Sequence, residues 1–236
     1  MIDIKVLASS SSGNCYLIDD GETKLLLEAG ISLKRIQKGT AYQVTSVAGC
    51  LVTHEHQDHS KAVNDLMGIG IDCYMSKGTA AAINAQDFRC KEIMPNVIVD
   101  IGTWLIKPFD TRHDASEPFG YLLYSNNTGE RLVFITDSYY VPYKFADLNY
   151  IMVECNYSDE MLNRNFINGS INEARRKRIM RSHMSLENCK ELLRANDLSK
   201  VKEIHLLHLS DENSVEDQFK KEIAALTGLP VYVAQK

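Results

Sequence analysis

The sequence predicts an α/β (α+β) fold, with strands and helices layered around a shared core. Three observations lead there. The first quarter reads as short strands separated by turn residues, later strand-like runs alternate with stretches of helical spacing, and no linker or internal repeat divides the 236 residues. A chain of this length sustains one sizeable core, so a single domain over residues 1–236 is expected.

The elements follow in order. Ile2 to Leu7, Cys15 to Ile18 and Lys24 to Leu27 read as a strand meander, with Ser9 to Asn14 and Asp19-Asp20-Gly21 as its turns. Gly49 to Thr53 is a short apolar run that ends in a polar cluster, after which Ala62, Val63, Leu66 and Met67 mark a helical face over Ser60 to Met67. Strands are expected at Asp72 to Met75, Val97 to Val99, Trp104 to Lys107, Gly120 to Tyr124, Leu132 to Ile135 and Tyr150 to Val153, and finally at Glu203 to Leu207 and Val231 to Val233. Helices are expected at Thr79 to Asn84, Ser170 to Ile179, Ser185 to Ala195 and Val215 to Leu226.

A hydrophobic fraction of 44% and a charged fraction of 24% are those of an ordinary globular protein, which argues against disorder. The net charge of −5 argues against indiscriminate polyanion binding, though not against a local basic patch. The six cysteines are scattered, without a CxxC pair, as expected of reduced thiols in a cytoplasmic protein. The alternating start Met1 to Leu7 does not have the layout of a secretion signal, and no apolar run is long enough for a membrane span.

The chemistry gathers in Thr53-His54-Glu55-His56-Gln57-Asp58-His59. In an extended segment His54 and His56 point to one side, while Asp58 and His59 sit where the chain turns into a helix and aim at a second point nearby. Imidazole and carboxylate without thiolate suit Zn²⁺, Mn²⁺ or Fe and do not choose among them. A capped helix start would need only Asp58, not three histidines as well.

This HxHxDH motif resembles that of the metallo-β-lactamase superfamily. The resemblance implies a four-layer αβ/βα sandwich, with two mixed β-sheets and outer helices, holding two divalent metal ions. It also implies the remaining ligands: His113 in Asp110 to Asp114, Asp137 after Phe134-Ile135-Thr136 as the carboxylate bridging both ions, and His208 in Ile204 to Ser210. Taken alone, Asp137 reads as a turn residue and His113, His205 and His208 as packed or exposed histidines; His205 keeps that reading.

Several segments are similar to the YycJ/WalJ-type branch, small relatives of the nucleases in that superfamily: Ser11-Ser12-Gly13-Asn14, Leu25 to Gly30, His113-Asp114-Ala115 with Glu117 to Tyr121, Glu154-Cys155-Asn156, and Ser182-His183-Met184-Ser185. Two positions depart from that pattern, Glu28 in place of aspartate and Tyr157 in place of histidine. The resemblance implies that His183 is no ligand but faces the scissile phosphate, although a position just before a helix-capping Ser185 suits it equally. Arg175, Arg176, Lys177, Arg178 and Arg181 form either a solvated helix face or a grip on substrate phosphates.

The expected function is therefore a dinuclear metal-dependent hydrolase, a phosphodiesterase or exonuclease acting on DNA or RNA, with Asp58 and His183 catalytic. A thioester, lactone or other carboxylic-ester hydrolase on the same fold is the alternative, and a scaffold without metal a further one. No protein partner and no membrane contact is indicated.

Overall fold

A computed structural model of the chain describes residues 1–235. The strands form two mixed sheets, one ordered β1-β2-β3-β4-β5-β6 and the other β13-β12-β11-β10-β9-β8-β7, with helices flanking them. The chain divides into two compact units, one made of Met1–Asp110, Ala115–Glu130 and Gln235, the other of Thr111–Asp114 and Arg131–Ala234.

In the first unit β1 (Asp3–Ser10), β2 (Gly13–Asp19) and β3 (Lys24–Leu27) are the expected antiparallel meander. β4 (Val47–Leu51), β5 (Cys73–Met75) and β6 (Cys90–Glu92) then add on in parallel. Leu26, Cys50, Val52, Val63, Leu66 and Met75 are among the side chains that fill the core beneath this sheet. β7 (Val99–Ile101), β8 (Trp104–Asp110) and β9 (Phe119–Ser125) pair antiparallel. The sequence pattern did not reveal β6 or the helix α1 (Leu33–Gly39): β6 has three residues, none fully buried, and α1 buries Ile36 alone.

The helix expected over Ser60 to Met67 is two short ones, α2 (Gln57–Ser60) and α3 (Val63–Gly68). The break has a backbone cause. Ala29 N–H donates to His59 O and Ala62 N–H to Ala29 O, each at 2.8 Å, so the strand-end segment after β3 takes hydrogen bonds that a continuous helix would use. The helix α4 (Lys77–Ala82) follows, its Ser76 cap accepting from the amide of Thr79.

In the second unit β10 (Arg131–Ile135), β11 (Tyr150–Glu154), β12 (Glu203–Leu207) and β13 (Val231–Val233) are all parallel. Every residue of β11 is buried, as a central parallel strand requires. The helices are α5 (Asp159–Ile167), α6 (Glu173–Ser182), α7 (Leu186–Ala195) and α8 (Glu216–Thr227). α7 turns Leu186, Cys189, Leu192 and Leu193 inward, an ordinary amphipathic stripe, whereas α6 buries only Ser182. Among the described residues no helix is long and apolar enough to cross a membrane, and no disulfide joins the six cysteines.

Candidate functional site

In the first unit the HxHxDH segment runs from the end of β4 into α2, the strand-to-helix junction that its sequence suggested. His54 Nε2 and His56 Nδ1 point at one another across 3.2 Å, and Thr53 Oγ1 is 2.9 Å from His54 Nδ1. His59 presents Nε2 to Asp58 Oδ2 at 3.4 Å and Nδ1 to Glu28 Oε2 at 3.4 Å. Glu28 is fully buried and accepts from the Thr53 amide through Oε1, which leaves Oε2 facing the His59 ring.

Two motif segments brace this loop from behind. Asn14 Nδ2 donates to Ser10 O and to Asp58 O, and stands 3.2 Å from His59 Nε2. Gly30 lies against the same turn, where a Cβ atom would fall 1.7 Å from Asp58 O. Only glycine permits that approach.

In the second unit His113, Asp137, Glu154, His183 and His208 come together. Asp137, Glu154, His183 and His208 each offer one ligand atom, all within 4.8 Å of one another. Asp137 Oδ1 is 3.2 Å from His208 Nδ1, and Asp137 Oδ2 is 3.7 Å from His113 Nε2. His113 Nδ1–H donates to Ser182 O at 2.7 Å, which leaves Nε2 as the nitrogen with the lone pair. Burial holds His113 below the usual imidazole range, and the Asp137 carboxylate only partly offsets it, so the ring is kept neutral as a ligand must be.

Glu154 is the residue that sequence reasoning passed over, although it stood in one of the motif segments. Its Oε2 accepts from the amides of Ser138 (3.0 Å) and Met184 (2.9 Å), and its Oε1 meets His183 Nδ1 at 2.6 Å and His208 Nδ1 at 3.3 Å. With both oxygens engaged by four donor groups, it acts as a positioning carboxylate. Asn156 adds a hydrogen bond to His208 O.

Asp137 (φ 38°), His208 (φ 53°) and Glu28 (φ 67°) are all left-handed. Such conformations cost roughly 1–3 kcal/mol each and gather at functional sites. The donor sets fit divalent cations: they are imidazole and carboxylate, largely buried, and the negative charges of Asp137 and Glu154 lie close together.

The remaining sequence-derived residues fall as follows. His183 ends α6 and precedes the Ser185 cap of α7, its side chain only partly exposed. Tyr157 is buried against Leu162 and Ile171, a packing role. Of the basic run, Arg175 pairs with Glu212, Lys177 with Glu173 and Arg178 with Asp114, while Arg176 bonds Asn163 and covers the Phe166 ring. Arg181 is exposed and has no such partner among the described residues. His205 sits on β12, stacked on Tyr232.

Comparison with known proteins extends these observations. The family model described as Beta-lactamase superfamily domain matches residues 22–209. "Exodeoxyribonuclease YycJ" of Bacillus anthracis is 28% identical over 245 residues, covering 94% of this chain and 88% of its own. "Exodeoxyribonuclease WalJ" of Streptococcus pneumoniae serotype 2 (strain D39) is 29% identical over 239 residues, covering 94% and 85%. Among solved structures the metallo-β-lactamase fold protein YhfI of Bacillus subtilis superposes with a TM-score of 0.73 at 16% identity, over 99% of this chain and 96% of its own. With its HxHxDH turn, its two mixed sheets and a family match through most of its length, the chain belongs to the β-lactamase superfamily and has the metallo-β-lactamase fold.

Proposed function

We propose that this chain is a cytoplasmic dinuclear metal-dependent phosphodiesterase that removes nucleotides from the ends of DNA. The single observation that carries the reading is the buried cluster of Asp137, Glu154, His183 and His208, in which a histidine outside the expected ligand set is aimed by a carboxylate. Two relatives matched over 94% of the chain and named exodeoxyribonucleases support DNA over RNA and over carbonyl esters. A family match running through both units supports reading residues 1–236 as one domain. The six cysteines, none in a disulfide, suit a reducing compartment.

The proposed ligands are His54, His56 and His113 for one ion and Asp58, His59 and His208 for the other, with Asp137 shared. Zinc or manganese suits these donors. When bound, the ions acidify a water and polarise a phosphoryl oxygen. Asp58 would take up the proton of the attacking water. His183, its Nδ1–H committed to Glu154, keeps Nε2 to hold or donate a proton at the leaving oxygen. Arg181, with Arg175, Arg176 and Arg178 on the same helix, would contact the phosphates on either side.

The test is metal analysis of the purified protein, combined with hydrolysis of bis(p-nitrophenyl) phosphate and of end-labelled DNA and RNA by wild type, Asp58→Ala and His183→Ala. About two metals per chain are expected, with cleavage lost in Asp58→Ala and reduced roughly 10²–10⁴-fold in His183→Ala at unchanged metal content. Two metals with ester but no phosphodiester cleavage would replace this reading with the carbonyl one. A folded chain that takes up no metal would end both.

A further inference from the structure

We propose that a cavity walled by Tyr140, Tyr143, Met184 and Leu192 is a nucleobase subsite, which takes the base of one unpaired nucleotide of the strand being cut. The assignment rests on the phosphodiesterase reading above. The cavity lies wholly within the second unit and measures about 190 Å³. Pockets for drug-sized ligands run to roughly 300–1,000 Å³, so this smaller one suits a single ring system.

Its place in the chain ties it to the catalytic cluster. Tyr140 comes three residues after Asp137, and Met184 directly follows His183. Glu154 Oε2 accepts from the amides of both Ser138 and Met184, so the two segments that wall the cavity start from the carboxylate that aims His183. The walls are fixed. Ser138 Oγ donates to Tyr140 O and Asn188 Nδ2 to Tyr139 O, each at 2.9 Å, and Asn188 is itself anchored at the first turn of α7 by the Ser185 cap.

The lining favours a base over other occupants. Two tyrosines line the cavity, and Tyr140 is 51% exposed, so its ring is available to stack on a π face. Lys144, Asn188 and Glu191 also line it and add a cation, an amide and a carboxylate that a base edge and its phosphate could use. An aliphatic acyl group would leave all three unused. A base held here is out of the duplex, so a single-stranded or frayed end is the substrate this geometry selects.

The experiment uses metal-loaded full-length protein and a phosphorothioate-linked single strand carrying 2-aminopurine at each position in turn, read by fluorescence. Quenching on binding at one position is expected for wild type and Tyr140→Phe. For Tyr140→Ala the quench should be lost and binding weakened about tenfold, the loss of one base–aromatic stack. With an abasic residue at that position, wild type and Tyr140→Ala should bind alike. Circular dichroism confirms that each variant is folded. Quenching without cleavage of any normal strand under any metal would sustain the subsite and overturn the exonuclease reading. Cleavage without quenching at any position, or equal binding by wild type and Tyr140→Ala, would overturn the subsite and leave that reading standing. A strand neither bound nor cut would overturn both.

Discussion

Glu154 Oε1 and His183 Nδ1 face one another across 2.6 Å, the carboxylate fully buried and the imidazole in the short connection between α6 and α7. Burial alone would raise the Glu154 carboxyl, but the His183 charge and the hydrogen bonds from His183 and His208 hold it below the usual range. Burial likewise opposes charge on His183, which Glu154 then raises above the ordinary imidazole value. The two shifts run in the directions of a formed pair.

This pair yields the first prediction. Glu154→Gln keeps an oxygen acceptor and removes the charge, and should lower kcat about 10–100-fold, with little change in KM or metal content. If Glu154 acts through His183, adding His183→Ala should cost little beyond His183→Ala alone. The double-mutant cycle on a small phosphodiester checks this, and additive losses would remove the assigned coupling.

Metal removal should destabilise the protein through Asp137. Without a cation its carboxylate faces that of Glu154 in a buried setting, a repulsion already visible as an upward push on Glu154. Chelation should therefore lower Tm, by about 2–4 °C for each kcal/mol of lost binding energy. In Asp137→Asn the apoprotein should melt at or above the wild-type apoprotein, and added Zn²⁺ or Mn²⁺ should stabilise it far less. Scanning calorimetry with and without chelator decides; an unchanged metal response in Asp137→Asn would refute the ligand role.

Gly30→Ala tests the brace behind the metal loop. The new methyl would overlap Asp58 O, which lies 1.7 Å from the ideal Cβ position, so the loop must move. Overpacking of this kind costs about 1–3 kcal/mol. Denaturant midpoints should fall accordingly, and metal affinity should fall with them because Asp58 and His59 share that backbone.

Much of this was legible in the sequence, and the limits have physical causes. The HxHxDH turn announces itself through local density, and strands such as Lys24–Leu27 and Glu203–Leu207 through short apolar runs bounded by turn residues. Glu28, Glu154 and Asn14 were visible only as members of motif segments. Their work is done by contacts 16 to 54 residues away along the chain, which no periodicity encodes. Glu117 is similar, bonding the Gly78 amide. The split of the helix over Ser60 to Met67 depends on Ala29, and the ion pairs that quiet the basic run depend on Asp114 and Glu212; neither lies within a local window.

His205 gives a pH dependence. Burial lowers its pKa, which the Glu203 carboxylate offsets only in part. The folded pKa therefore lies below the unfolded value near 6.5, and the unfolded chain binds more protons as the pH falls through that value. Stability at this residue is full above about pH 6.5 and is lost as the pH drops towards the folded pKa. In His205→Gln the decline in Tm between pH 7 and pH 5 should be shallower than in wild type.

Arg181 separates the two readings of the basic helix. Lys177 already holds an acid, Glu173, so removing it should release an intramolecular partner and change DNA binding little. Arg181 is exposed beside Ser182 and His183 with no acid engaged among the described residues. If it holds a substrate phosphate, Arg181→Ala should weaken DNA binding at 50 mM salt and shrink the slope of log K against log salt by about 0.7 for a single strand. Lys177→Ala should leave the slope near its wild-type value, as a charge already paired displaces no counterion. Binding titrations across a salt series provide the measurement, and equal slopes for wild type and Arg181→Ala would make the run a solvated helix face.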